Sequence, residues 1–149
     1  MDEILLKTIH LEGEINNALS SCSDSLFNQD INNEETIKKL SGKFAKKGVC
    51  YVVCVGNIIS GFVAFYVNDY KTYKGYLSII VVKKDYQGLG FGALLLDVVL
   101  STCKKKGMRE LLLEVDSNND SAILFYNKRG FIINESKTPN TLVLSKQIH

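Results

Sequence analysis

Three glycines at alternate positions dominate one short run: Val82-Lys83-Lys84-Asp85-Tyr86-Gln87-Gly88-Leu89-Gly90-Phe91-Gly92-Ala93. Glycines spaced this way let a backbone turn sharply and come close to a ligand. The run follows a β-prone stretch, Tyr76–Val82, and opens a helical pattern from about Gly90 to Lys106. The first N–H groups of a helix lack intrahelical partners and favour an anion. The chemistry implied is a cradle for a pyrophosphate, built from backbone.

Two familiar phosphate-binding patterns do not fit. A P-loop needs Lys-Ser or Lys-Thr after its last glycine, and Ala93-Leu94 stand where that pair is expected. A dinucleotide fingerprint spaces its glycines GxGxxG near the first strand, with an acid about 20 residues on. Here the spacing is Gly88-x-Gly90-x-Gly92, in the middle of the chain. A glycine-rich turn is also compatible with a purely structural role, so its surroundings must decide.

The elements that would position this turn can be read from periodicity and turn residues. Ile4-Leu5-Leu6 with Ile9 and Leu11 reads as a first strand, and Ile15, Leu19, Leu26 and Phe27 lie at roughly helical spacing. Asn33 caps a predicted helix from Glu34 to about Lys47, ended by Gly48. Val49–Val55 and Ile58–Val67 form a hairpin around Gly56-Asn57. Tyr76–Val82 is the next strand, then comes the glycine turn with its helix, then a strand at Glu110–Val115. Asp116 to Ser121 supplies caps for a helix to about Arg129, and Phe131–Asn134 and Thr141–Ser145 close the sequence as strands. This order predicts a mixed α/β (α+β) fold. Its central sheet should hold six to seven mostly antiparallel strands, with helices on both faces. The helix between Tyr76–Val82 and Glu110–Val115 makes a right-handed βαβ crossover, so those two strands should be parallel.

Composition sets limits on the function. The 149 residues suit one domain spanning residues 1–149, and such a chain buries roughly 70% of its unfolded surface without metal or disulfide. A net charge of +2 gives no ground for a nucleic-acid partner. The clusters Lys104-Lys105-Lys106 and Lys38-Lys39 with Lys43, Lys46 and Lys47 read as solvated helix faces; the first could alternatively draw in the phosphates of a ligand. No Cys-x-x-Cys occurs among Cys22, Cys50, Cys54 and Cys103, and only His10 and His149 are histidines, so no metal site is expected. Cys50 and Cys54 would share one face of a strand roughly 13 Å apart, too far for a disulfide. The acidic N-terminus carries no long apolar run, so neither a leader nor a membrane partner is expected, and the chain reads as cytoplasmic.

Gln87-Gly88-Leu89-Gly90-Phe91-Gly92 fits the [Q/R]xxGx[G/A] motif of the GNAT superfamily of N-acetyltransferases. The lead-in Val82-Lys83-Lys84-Asp85-Tyr86-Gln87 resembles that family's V-x-P-x-[Y/F]-[Q/R], with Lys84 replacing the usual proline. Downstream, Leu113-Glu114-Val115, Asn119, Ala122, Phe125-Tyr126 and Gly130-Phe131 resemble its second signature. The likeness covers about Ile58 to Phe131 and is weak over the first 48 residues, where such proteins place acceptor-binding elements.

The resemblance implies acetyl-CoA as cosubstrate. Backbone N–H groups of Gly88, Leu89, Gly90, Phe91, Gly92 and Ala93, with Gln87 leading in, would hold its pyrophosphate. The strand edge at Ile80, Val81 and Val82 would pair with the pantetheine arm, where the strand splays from its parallel neighbour. The Ile80 amide would polarise the thioester carbonyl, as an oxyanion hole does. The expected reaction is direct attack of a neutral amine, which raises two proton problems: one must leave the amine, and one can be supplied to the departing sulfur. By the same resemblance Tyr126 is the candidate acid and Asn119 a contact to the pantetheine arm, against the plainer readings of a core tyrosine and a helix cap. The base is less defined. Many GNAT enzymes carry a glutamate where this chain has Tyr76; Glu114, similar to the base of ribosomal-protein alanine acetyltransferases, is one alternative and a water chain ending at the cleft is another. Alternation puts Glu114 and Leu112 opposite Leu111, Leu113 and Val115. The expected acceptor is a primary amine of a small molecule, an amino sugar among them, with a homodimer left open. A peptide N-terminus and a non-catalytic acyl-CoA-binding role stand as alternatives.

Overall fold

The computed structural model describes residues 2–149. Its elements are β1 (Ile4–Ile9), α1 (Glu12–Cys22), α2 (Glu34–Lys47), β2 (Val49–Val55), β3 (Ile58–Tyr66), β4 (Lys74–Val82), α3 (Phe91–Lys105), β5 (Glu110–Asp116), α4 (Asp120–Lys128), β6 (Ile132–Thr138) and β7 (Thr141–Gln147). The strands form one seven-stranded sheet in the order β1-β2-β3-β4-β5-β7-β6. β4 and β5 are parallel, as the crossover requires, and the other neighbours are antiparallel.

Helices cover both faces. On one, Ile15, Ala18 and Leu19 of α1 and Ile37 and Phe44 of α2 pack on Val52, Phe62 and Ala64. On the other, Leu95, Leu96, Val99 and Cys103 of α3 and Tyr126 of α4 pack on Val63, Phe65, Leu111 and Leu113. Strand alternation feeds both cores: Phe62 and Ala64 of β3 face one, Val63 and Phe65 the other. The four cysteines are free and buried, with Cys50 and Cys54 in the same core. Among the described residues, no helix is long and apolar enough to cross a membrane.

Most element boundaries match the sequence reading, and three departures have physical causes. Helical spacing through Leu26 and Phe27 does not continue the first helix, which stops at Cys22. The serine-rich run that follows bonds back on itself, Ser23 Oγ donating to the Ser20 carbonyl at 2.9 Å and Gln29 Nε2 to the Leu26 carbonyl at 2.7 Å. Short polar side chains that satisfy backbone locally compete with a helix. The strand expected from Tyr76 starts two residues earlier, at Lys74, which pairs with Glu110 on β5. The last two strands are longer than their apolar runs suggest. β6 extends over polar Glu135, Ser136 and Lys137, because it is exposed along its whole length and is held by its ladder to β7.

Candidate functional site

β4 and β5 pair only from Lys74↔Glu110 to Leu77↔Leu113. Beyond that point β4 runs on to Val82 and β5 to Asp116 with no ladder between them. The divergence coincides with a bulge. Phe65 of β3 faces Leu77 and Ala64 faces Ile79, which leaves Ser78 unmatched. One extra residue reverses the alternation of a strand. Accordingly Leu77 packs under α3, whereas Ile79 and Val81 turn to the core under α1 and α2. The diverging edges open a cleft with two lobes, which share Leu26, Phe27, Ile80, Asn119, Ala122 and Tyr126.

The first lobe, of about 890 Å³, is lined by Ile80–Val82, most of the glycine turn, and residues 118–122 at the start of α4. Gly90 caps α3 with a left-handed backbone, φ 87°, and Gly88 has φ 82°. A Cβ at either glycine would meet nothing within 4 Å, so both face open space. The first helical bond of α3 runs from the Leu94 N–H to the Gly90 carbonyl. The six N–H groups from Gly88 to Ala93 have no protein partner among the described residues. Six consecutive free donors at the positive end of a 15-residue helix form a strong anion site. The residues therefore fit a pyrophosphate ligand.

Each sequence-predicted residue of this lobe has a definite place. Gln87 lines it and braces the turn, Nε2 donating to the Val82 carbonyl at 3.0 Å. The Phe91 side chain is buried and stacks on Tyr86, with ring centroids 6.4 Å apart, so only its backbone serves the lobe. Val81 likewise buries its side chain. Leu89 does not line the lobe; its side chain is 63% exposed, and only its N–H belongs to the cradle. Asn119 caps α4 through Oδ1, which accepts from the Ala122 N–H at 3.2 Å, and its Nδ2 remains able to donate. The Lys104–Lys106 cluster lies at the opposite end of α3, about 20 Å from the cradle at 1.5 Å per residue, so it does not draw phosphates there.

The second lobe, of about 700 Å³, is lined by residues 26–31, Leu77–Ile80, Leu113–Asp116 and Thr141. Its charged side chains are the carboxylates Asp30, Glu114 and Asp116. Glu114 does lie opposite the buried Leu111, Leu113 and Val115. Its Oε2 accepts from the Tyr76 hydroxyl at 3.2 Å and from Lys137 Nζ at 3.1 Å. Tyr126 stands at the junction of the lobes, 6% exposed, its ring edge-on to Phe125 and Phe131. Burial pushes its phenol well above the ordinary range, and its hydroxyl has no hydrogen-bond partner among the described residues. Among the described residues there is no cluster of three metal-ligating side chains.

Several site residues escaped the sequence reading. Arg129 lines the first lobe, its guanidinium 3.9 Å from the Phe125 ring centroid and donating to the Phe125 carbonyl at 3.0 Å. A lone arginine before a helix-ending glycine gives no such signal. Leu26 and Phe27 reach both lobes from the serine-rich loop, and Phe27 is 56% exposed. Two large apolar residues in a polar loop were the signal available.

Comparison with known proteins gives a consistent set. The profile of the Acetyltransferase (GNAT) family matches residues 14–131. The N-alpha-acetyltransferase 30 of Schizosaccharomyces pombe is 33% identical over 60 residues, 40% of this chain and 40% of that protein. The ribosomal protein bS18-alanine N-acetyltransferase of Haemophilus influenzae is 46% identical over 52 residues, 35% of each chain. The matched stretches thus span two-fifths or less of these relatives' own length. The structure of the PaiA N-acetyltransferase of Thermoplasma acidophilum, in complex with coenzyme A, superposes with a TM-score of 0.77 at 17% identity, covering 96% of this chain and 99% of that one.

Proposed function

Because the chain belongs to the Acetyltransferase (GNAT) family, a family of acyltransferases, we propose that it moves an acetyl group from acetyl-CoA to a primary amine. The observation that carries this reading is the row of six unpartnered N–H groups, Gly88 to Ala93, beside the unpaired edge of β4. The row holds the pyrophosphate. The edge at Ile80–Val82 takes the pantetheine arm as an added strand, with the Ile80 amide toward the thioester carbonyl. Asn119 Nδ2 is a further donor to that arm. When bound, acetyl-CoA supplies the activated acetyl group, and the protein's side chains manage protons around it. Glu114 takes the proton of the attacking amine. Tyr126 offers its hydroxyl to the departing sulfur. Since burial raises this phenol, the hydroxyl stays protonated through neutral pH and a buried phenolate is disfavoured. Its hydrogen bond to the sulfur therefore matters more than complete proton release.

We read the acceptor as a small-molecule primary amine. A lobe of about 700 Å³ is in the range of small-molecule sites, and Asp30, Glu114 and Asp116 suit a cation. The α-amine of a polypeptide is a second reading, supported by two relatives named for that activity. One experiment tests both. Acetyl-CoA should raise the melting temperature, as any ligand of the folded state does. Thiol release should then be followed over glucosamine, putrescine and a short peptide beginning with alanine. Release with the peptide alone would move the assignment to the second reading. A thermal shift without release for any amine would support an acyl-CoA-binding role without catalysis. No shift at millimolar acetyl-CoA would remove the cofactor assignment.

A further inference from the structure

Glu114 does not stand free in its lobe. Both of its protein partners act on one oxygen, Oε2, while Oε1 has none among the described residues. The two partners come from different strands. Tyr76 on β4 is level with Leu112 on β5, so Glu114 lies two residues further on, the diagonal neighbour an aromatic side chain can span. Lys137 comes from the far side, from β6 beyond β7, at a register irregularity between Ser136 and Thr138. Groups from two strands thus converge on a single carboxylate oxygen carried by a third.

Position 76 suits this arrangement in a way that a glutamate would not. Two carboxylates at this separation would repel, and one would have to take up a proton. A phenol supplies a donor instead. Burial, and then the adjoining Glu114, push the Tyr76 phenol up to about 12, so it keeps its proton in any ordinary buffer. Lys137 contributes less. Its side chain is 58% exposed, and exposed ion pairs hold a geometry weakly. The hydroxyl of Tyr76 is the firmer of the two restraints.

We propose that Tyr76 is a positioning residue: its hydroxyl, with Lys137 assisting from the other side, pins Oε2 of Glu114 and so leaves Oε1 as the oxygen presented to the acceptor amine. This rests on the reading of Glu114 as the base. During transfer the amine's proton passes to Oε1, the nitrogen lone pair forms the new bond to the acetyl carbon, and the thiolate leaves with the electrons of the broken bond. Tyr76 exchanges no proton. It fixes the direction in which Glu114 can accept one.

A double-mutant cycle tests this. The proteins are the unmodified chain, Tyr76→Phe, Glu114→Gln and the double variant. Each is assayed with acetyl-CoA and the faster of glucosamine and the alanine-initiated peptide, for kcat, acceptor KM, melting temperature and acetyl-CoA thermal shift. Glu114→Gln should lower kcat about 10²–10⁴-fold, as loss of a general base does. Tyr76→Phe should lower kcat roughly tenfold, with the acetyl-CoA shift retained. The double variant should match Glu114→Gln within about a factor of two, since a base that is gone needs no positioning. Independent, multiplying effects would overturn the proposal, because Tyr76 would then act other than through Glu114. A normal kcat for Tyr76→Phe beside a slow Glu114→Gln would overturn the positioning role and leave the base intact. A normal kcat for Glu114→Gln would overturn the base assignment itself, and the positioning role with it.

Discussion

The two lobes of the cleft meet at Tyr126 but are built by opposite means. The first lobe offers a row of backbone donors, six N–H groups from Gly88–Ala93 beside the strand edge at Ile80–Val82, flanked by side chains such as Asn119, Phe125 and Arg129. The second lobe has no such row, and its charged groups are the side chains Asp30, Glu114 and Asp116, gathered from the loop at residues 26–31 and the end of β5. Backbone recognition needs a particular path of the chain and tolerates many side chains. Side-chain recognition needs particular groups and tolerates many paths. On the proposed function, the first lobe can therefore keep acetyl-CoA while the second changes its acceptor by substitution.

The largest expected effect strikes the path of the first lobe. Gly90→Asp should abolish the acetyl-CoA thermal shift. The left-handed backbone at φ 87° strains a residue with a Cβ, by about 1–2 kcal/mol. More important, the open space beside Gly90 would receive a negative charge facing the proposed phosphate site. Gly90→Ala separates the two contributions, since it adds the strain without the charge and should weaken binding only partly. A full shift in Gly90→Asp, measured by melting with and without ligand, would show that the cradle is not the phosphate site.

Next comes Tyr126, one of the residues the lobes share. Tyr126→Phe keeps the ring that packs on Phe125 and Phe131 and removes only the hydroxyl. The transfer rate should fall more than tenfold while the acetyl-CoA shift stays, if the backbone donors do the holding as proposed. A normal rate with a lowered melting temperature would make Tyr126 a core residue alone. A donor with a better leaving group should partly restore the rate, since its sulfur needs the hydroxyl less.

The contrast between lobes also explains what the sequence could disclose. Gly88, Gly90 and Gly92 were legible because a backbone site compresses into one run whose glycines are demanded by its geometry. The order of strands was legible for a similar reason, alternation and turn residues being local. The bulge at Ser78 was not, since it arises from the mismatch between β3 and β4 and no residue type marks it. The partners of Glu114 were equally hidden: Tyr76 is 38 residues away and Lys137 is 23, and only the sheet order brings them together. Glu114 itself could be assigned a face by alternation, but its neighbours could not be named.

A smaller effect is expected at Phe27, where the lobes meet. Phe27→Ala should raise the acceptor KM several-fold and leave kcat and the acetyl-CoA shift nearly unchanged. Phe27 sits where both lobes meet and is more than half exposed, so removing it costs little stability. Steady-state kinetics with glucosamine and the peptide would check it. A loss of cofactor affinity instead would show that the Phe27 side chain also holds acetyl-CoA, and would blur the division between backbone and side-chain recognition.

The smallest expected effect is the sharpest test of that division. Leu89 stands in the middle of the cradle, between the two left-handed glycines, yet its side chain is 63% exposed and does not line the lobe. If the cradle binds through backbone alone, Leu89→Ala removes an apolar side chain and no donor. Acetyl-CoA affinity, measured by calorimetry, should then stay within about twofold, well under 1 kcal/mol. Substituting an alanine keeps the N–H and adds no charge, so the variant changes nothing the phosphates would touch. A loss of tenfold or more would mean that the leucine side chain folds over the bound ligand, and that this lobe too reads its ligand partly through side chains. Gly90→Asp and Leu89→Ala, at adjacent positions and with opposite expected outcomes, together separate the path of the chain from the groups it carries.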